Sequence, residues 1–270
     1  MKIIFKGVKM KTLSKENKTV IGYIIIGICV AIFGASMISA IALKADPYDP
    51  ETFCQDEVTD HTIIVLDKTD SLSSNQQRFI LEYINAEKNK LRTFEKLSIF
   101  TLTENTYMNP EPIFSKCNPG TGKNANQLYQ NPQKIQMRFD RFFSKPLKEN
   151  MSRMLSDNTG SKSPIFEMIR ELSLRDDFGD GVKQRTLIII SDMMHHTPQF
   201  SHYRNFIDYK SFSKKSYADE VATSLNSMNI KIVYLLRGKL RSIQGKRHLS
   251  FWEDYFEDMG AGVVEVRNVR

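Results

Sequence analysis

A chain of 270 residues, 41% hydrophobic and 26% charged, has a globular composition with room for one sizeable domain and additional segments. Its net charge of +7 would suggest a nucleic-acid partner if it were spread over the fold. Residues 1–44 carry seven lysines against one glutamate, leaving a net +1 for residues 45–270, so no nucleic-acid partner is expected.

Residues 1–18 form a basic tail containing Lys2, Lys6, Lys9, Lys11, Lys15 and Lys18. From Thr19 to Leu43 no charge occurs in 25 residues rich in Ile, Val, Ala and Gly, and a membrane-spanning helix needs about 20. Lysines before this stretch, and Asp46, Asp49, Glu51, Asp56 and Glu57 after it, place the amino terminus in the cytoplasm. The reading is a single-pass signal anchor (19–43) in the inner, cytoplasmic membrane with a periplasmic or other extracytoplasmic domain. A cleaved signal peptide competes, because Ser39, Ala40, Ala42 and Ala45 follow the apolar stretch. A signal core spans about 7–15 apolar residues, however, which favours the anchor.

Residues 44–60 read as an acidic, proline-containing tether, and 61–270 as the folded domain. Cys29 lies within the apolar span, whereas Cys54 and Cys117 fall on the exported side, where disulfides persist. A Cys54–Cys117 disulfide is the preferred pairing, with two free buried thiols as the alternative. No Cys-x-x-Cys motif supports zinc or redox chemistry.

The domain opens with His61-Thr62-Ile63-Ile64-Val65-Leu66, an apolar strand that ends in Asp67-Lys68-Thr69-Asp70-Ser71. Such a run is typical of a strand buried on both faces of a parallel sheet. Asp67, Thr69 and Ser71 are spaced i, i+2, i+4, so a gently turning loop can converge their oxygens on one point. Hard cations such as Mg²⁺ take donors of this kind. The plain structural reading is that the three residues cap the next helix.

Helical spacing follows from Ser73 to Arg92, with Phe79, Ile80, Tyr83, Ile84 and Leu91 on one side. Leu97–Leu102 is a second strand and Pro110–Ser115 a short third one, joined too closely to be parallel. A long Asn-, Gly- and Pro-rich loop spans 118–132. A helix from Pro132 to Leu155 is interrupted at Pro146, and Pro164 opens another over Ile165–Leu174. Thr186–Ile190 is a fourth strand, again closed by a carboxylate in Ser191-Asp192. Helix Tyr217–Met228, strand Ile230–Leu236, helix Leu249–Met259 before Gly260, and strand Gly262–Val266 complete the chain. This order predicts an α/β fold, a doubly wound, mostly parallel six-stranded sheet with one antiparallel edge strand.

The Asp67-x-Thr69-x-Ser71 motif in this order resembles the von Willebrand factor A (vWA) family over roughly residues 60–268. That family's metal-ion-dependent adhesion site has the pattern Asp-x-Ser-x-Ser, and Thr69 here replaces the first Ser. The resemblance implies two further pieces. A family Thr in a glycine-rich loop before a helix is matched by Ser163 in Gly160-Ser161-Lys162-Ser163-Pro164, with Ser161 and Thr159 as fallback candidates. A family Asp after the fourth strand is matched by Asp192. The implied ligands of Mg²⁺, or of Mn²⁺ or Ca²⁺, are then Asp67, Thr69, Ser71, Ser163 and Asp192. The implied partner is a protein that presents an acidic side chain to the cation. Simple N-capping is the competing reading of Ser163.

Other clusters read as structural. His195-His196 lacks the i, i+4 spacing of a helical zinc pair, and Asp176, Asp177 and Asp180 read as a solvated turn. Phe251, Trp252, Tyr255 and Phe256 read as core packing, and Lys239, Arg241, Lys246 and Arg247 as solvated surface. The chain has no Gly-x-Ser-x-Gly elbow and no phosphate loop. A phosphoryl-transfer enzyme with an aspartate nucleophile would, by resemblance, want a second Asp where Thr69 stands. A binding module is therefore expected rather than an enzyme, with a metal-independent scaffold of an envelope assembly as the alternative.

Overall fold

A computed structural model describes residues 15–42, 48–126, 130–155, 160–204 and 207–270. Two compact units divide between residues 47 and 48. In the first, helix α1 (Lys15–Ala42) contains the apolar stretch Thr19–Ser39, the one helix among the described residues long and apolar enough to cross a membrane. At about 1.5 Å per residue its 21 residues span about 30 Å, the thickness of a bilayer's hydrocarbon core. Cys29 is exposed on this helix.

The second unit, Tyr48–Arg270, is a mixed α/β fold. Its six strands are β1 (Asp60–Asp67), β2 (Lys96–Leu102), β3 (Phe114–Cys117), β4 (Gln184–Ser191), β5 (Asn229–Leu235) and β6 (Gly262–Val269). They lie in the order β3-β2-β1-β4-β5-β6, with every pairing parallel except that of β2 with β3. β3 starts later than the sequence pattern predicts. Pro110 and Pro112 lack the N–H groups a ladder needs, so pairing begins only at Phe114 against Ile99.

Strand alternation sends apolar side chains to both faces. On one face Ile63, Val65, Phe100 and Ile189 pack with helices α5 (Ile165–Ser173) and α8 (Lys246–Asp258). On the other, Ile64, Leu66, Ile99 and Ile190 meet α2 (Ser74–Lys90) and the segment from α3 (Pro132–Phe139) to α4 (Lys145–Met154). A π-helical turn, Asp140–Ser144, separates α3 and α4, so the interruption precedes Pro146. Pro146 cannot donate to the carbonyl four residues back, and the widened turn absorbs the mismatch.

The helix expected over Tyr217–Met228 is short: α6 (Tyr209–Phe212) is followed by α7 (Ser216–Val221). Beyond it the backbone bonds outward instead, with Leu225 N–H donating to Met259 O at 2.8 Å and Ser227 N–H to Gly260 O at 3.0 Å. Cys54 and Cys117 form a disulfide with Cα atoms 4.9 Å apart. Residues 48–60 are included in the compact unit; Cys117 N–H, for example, donates to Thr52 O at 2.8 Å.

Candidate metal centre

The chain reverses its direction of travel across the sheet between β1 and β4. β1 is followed by β2 and β3 on one side, while β4, β5 and β6 build outward on the other. Connections diverge there and leave a crevice at the strands' carboxyl ends, where open α/β sheets bind ligands. Leu66 is paired with Ile190, so Asp67 and Ser191 emerge side by side.

Asp67 is 4% exposed and is surrounded by donors. Its Oδ1 accepts the Thr69 backbone N–H at 2.9 Å and the Thr69 hydroxyl at 2.7 Å, a local turn of the kind aspartate favours. Its Oδ2 accepts the hydroxyls of Ser191 at 2.6 Å and Ser163 at 3.4 Å. Burial pushes the Asp67 carboxyl above its usual range, and the Ser191 and Thr69 hydrogen bonds oppose that shift. Among the described residues no lysine or arginine pairs with Asp67.

Ser163 reaches this point through its neighbours. Its N–H and carbonyl form a reciprocal 2.9 Å pair with His196, and Gly160 N–H donates to Thr69 O at 3.0 Å. The N-cap of α5 is Pro164, with no side-chain cap, so the Ser163 hydroxyl goes to Asp67 instead. Ser161 points elsewhere, donating to Glu104 Oε2 through both its N–H and its hydroxyl at 2.8 Å. Thr159 lies outside the described residues.

Asp192, 3% exposed, follows β4 directly. Its Oδ1 accepts Met194 N–H at 3.0 Å and its Oδ2 faces Arg237 Nε at 3.1 Å. Burial and then the nearby Asp67 charge push its carboxyl up to about 7, against the pull of Arg237. The next residue, Met193, has φ 60°. Its carbonyl accepts the Trp252 indole N–H at 3.0 Å, which fixes the turn that carries Asp192. Ser71 is exposed; its carbonyl, not its hydroxyl, is engaged, accepting from Arg237 Nη1. The capping-box residue Gln76 of α2 joins this contact, its Oε1 lying 3.4 Å from Arg237 Nη1.

The structure therefore gathers Asp67, Thr69 and Ser163 into one hydrogen-bonded group and sets Asp192 close enough to raise its charge cost. Ser71 stands at the rim. Ser191 and Arg237 were not singled out from sequence. Ser191 had a usable signal, as the last residue of a strand whose end was already suspect. Arg237 had none, lying 45 residues beyond Asp192.

A pocket of ≈ 220 Å³ opens beside Thr69, Ser163, His196 and Tyr203. No group of three or more His, Cys, Asp or Glu that could hold a metal occurs among the described residues. A cation here would rest on two carboxylates, hydroxyls and water. That donor set fits a hard divalent ion, and a buried carboxylate ringed by hydroxyls but lacking a cationic partner gives such an ion a site. Searches against protein-family models and curated proteins find no match for the chain.

Proposed function

We propose that Tyr48–Arg270 is a vWA-like, non-catalytic binding module, held on the outer side of a membrane by a single span. In this reading it captures a protein partner through a divalent cation. The observation that carries it is the convergence of Thr69, Ser163 and Ser191 hydroxyls on buried Asp67, with Asp192 beside it, at the carboxyl ends of neighbouring strands. When bound, Mg²⁺ or a similar ion supplies positive charge that a partner's carboxylate can neutralise. Asp67, Thr69, Ser71, Ser163 and Asp192 would hold it. With so few protein charges around it the ion keeps waters, and exchanging one for an anionic oxygen is favourable. The Cys54–Cys117 bond supports an oxidising compartment, and the basic residues before Thr19 support a cytoplasmic amino terminus.

One observation favours a second reading. Arg237 already compensates Asp192 and binds the Ser71 carbonyl, as it would in a scaffold that needs no metal.

Calorimetric titration of Mg²⁺ and Mn²⁺ into the full chain in non-ionic detergent, beside Asp67→Ala and Asp67→Asn, separates the two. Saturable binding that weakens at least tenfold in both variants, with their urea-unfolding midpoints retained, supports the cation site. Absence of binding by the intact chain supports the scaffold.

A further inference from the structure

The crevice continues past the carboxylates into a basic groove. A cavity of ≈ 600 Å³ begins at Asp70, Ser71 and Tyr203 and runs to Arg237, Lys239 and Arg270. A second, of ≈ 440 Å³, shares Arg237 and Arg270 with it and is lined by Arg241. Asp70 and Tyr203 also border the pocket beside Ser163, so the three form one run along the carboxyl edge of the sheet.

Lys239, Arg241 and Arg270 are exposed, and none of their side chains has an ion pair or hydrogen bond among the described residues. Among the described residues Asp70 is the single acidic side chain lining the two basic cavities. Gathering unpaired like charges round a concavity raises the local positive potential and concentrates anions there. Arg237 anchors the junction, its guanidinium fixed by Asp192 and the Ser71 carbonyl. The sequence alone reads Lys239 and Arg241 as solvated surface; the fold places them beside Arg270, about 30 residues further along the chain.

We infer that this groove takes an acidic segment of a protein partner, one with at least two separated carboxylates. One meets the proposed cation beside Ser163, and the others lie against Lys239, Arg241 and Arg270. The placement of the first carboxylate rests on the cation reading; the groove itself does not. A continuous polyanion fits less well, because Asp70 lines the middle of the run and Glu104 sits behind Ser161 at its far end. Discrete carboxylates can be spaced to avoid both. Leu72, Leu236 and Leu240 give the larger cavity an apolar wall suited to a peptide's intervening side chains.

The test uses the full chain in non-ionic detergent and a fluorescein-labelled peptide of separated glutamates, Glu-Gly-Leu-Gly-Glu-Gly-Leu-Gly-Glu, read by anisotropy in Mg²⁺ and again in EDTA. The variants are Lys239→Glu with Arg241→Glu, and separately Asp67→Ala. Expected is saturable binding, weakened at least tenfold by the charge reversal and severalfold by raising NaCl from about 50 to 150 mM. Unchanged Trp252 emission shows that the reversed variant is folded. Equal binding by wild type and the charge-reversed chain, or none by either, overturns the groove. Displacement of the peptide by phosphatidylglycerol vesicles or by inorganic phosphate at equal anion concentration overturns the assignment to a protein segment. Loss on charge reversal with no effect of EDTA or Asp67→Ala upholds the groove and removes the cation reading. Loss in EDTA and in Asp67→Ala, with none on charge reversal, does the opposite.

Discussion

Replacing both disulfide cysteines, Cys54→Ala with Cys117→Ala, tests the frame that holds the site. The bond closes a loop of sequence separation 63 that contains β1, α2, β2 and most of β3. Opening such a loop returns about 14 cal/mol/K of entropy to the unfolded chain, or about 4 kcal/mol at 25 °C. Cys117 is fully buried, and losing its sulfur adds a small packing cost. The assay is urea unfolding followed by Trp252, the only tryptophan, which is completely buried. With a slope of about 3 kcal/mol/M the midpoint falls by about 1.4 M. Wild type in reductant gives the same fall. Cys117 pairs with Lys96 at the start of β2, whereas Asp67 pairs with Leu102 at its end, so Mg²⁺ affinity at low urea stays within about twofold. A midpoint within about 0.3 M of the oxidised wild type would refute the loop-entropy argument.

Three further outcomes are expected. His61 bonds the Asp177 carbonyl at 2.7 Å and Ser98 Oγ at 2.8 Å, and burial lowers its pKa from 6.5 to about 4. The unfolded chain therefore takes up the proton first, and stability present above pH 6.5 is lost by about 3 kcal/mol as pH falls to 4. His61→Gln removes its share of that limb of a denaturation-midpoint profile, the rest belonging to His195, His202 and His248, whose pKa values burial also lowers, and an unchanged slope contradicts the assignment. Trp252→Phe leaves the Met193 carbonyl without its indole donor; a loss of about 2 kcal/mol by circular dichroism, together with weaker Mg²⁺ binding, is expected. Exposed Ser227 has φ 59°, so Ser227→Gly relieves left-handed strain and raises stability by about 0.5–1 kcal/mol in the same urea assay. A fall in its midpoint would show that Ser227 is not strained.

Local chemistry made much of this molecule legible before any coordinates. An uncharged stretch of 25 residues, Thr19–Leu43, is a helix candidate wherever it occurs. Strands buried on both faces announce themselves as apolar runs, and a carboxylate closing such a strand marks the carboxyl end of the sheet, where ligands bind. Shared position after the apolar span made Cys54–Cys117 the preferred pairing over two free thiols, and the fold closes that bond. What the tertiary structure alone decided is adjacency. The strand order that sets β1 against β4 brings the Ser191 hydroxyl to Asp67 across 124 residues. It carries Arg237 to Asp192 and unites Lys239, Arg241 and Arg270 round one groove. The shortening of the helix after Tyr217 has the same origin, since its backbone found partners at Met259 and Gly260. Periodicity reports the face a residue presents to its own element; its neighbour across the sheet is fixed only when the whole apolar surface is buried at once.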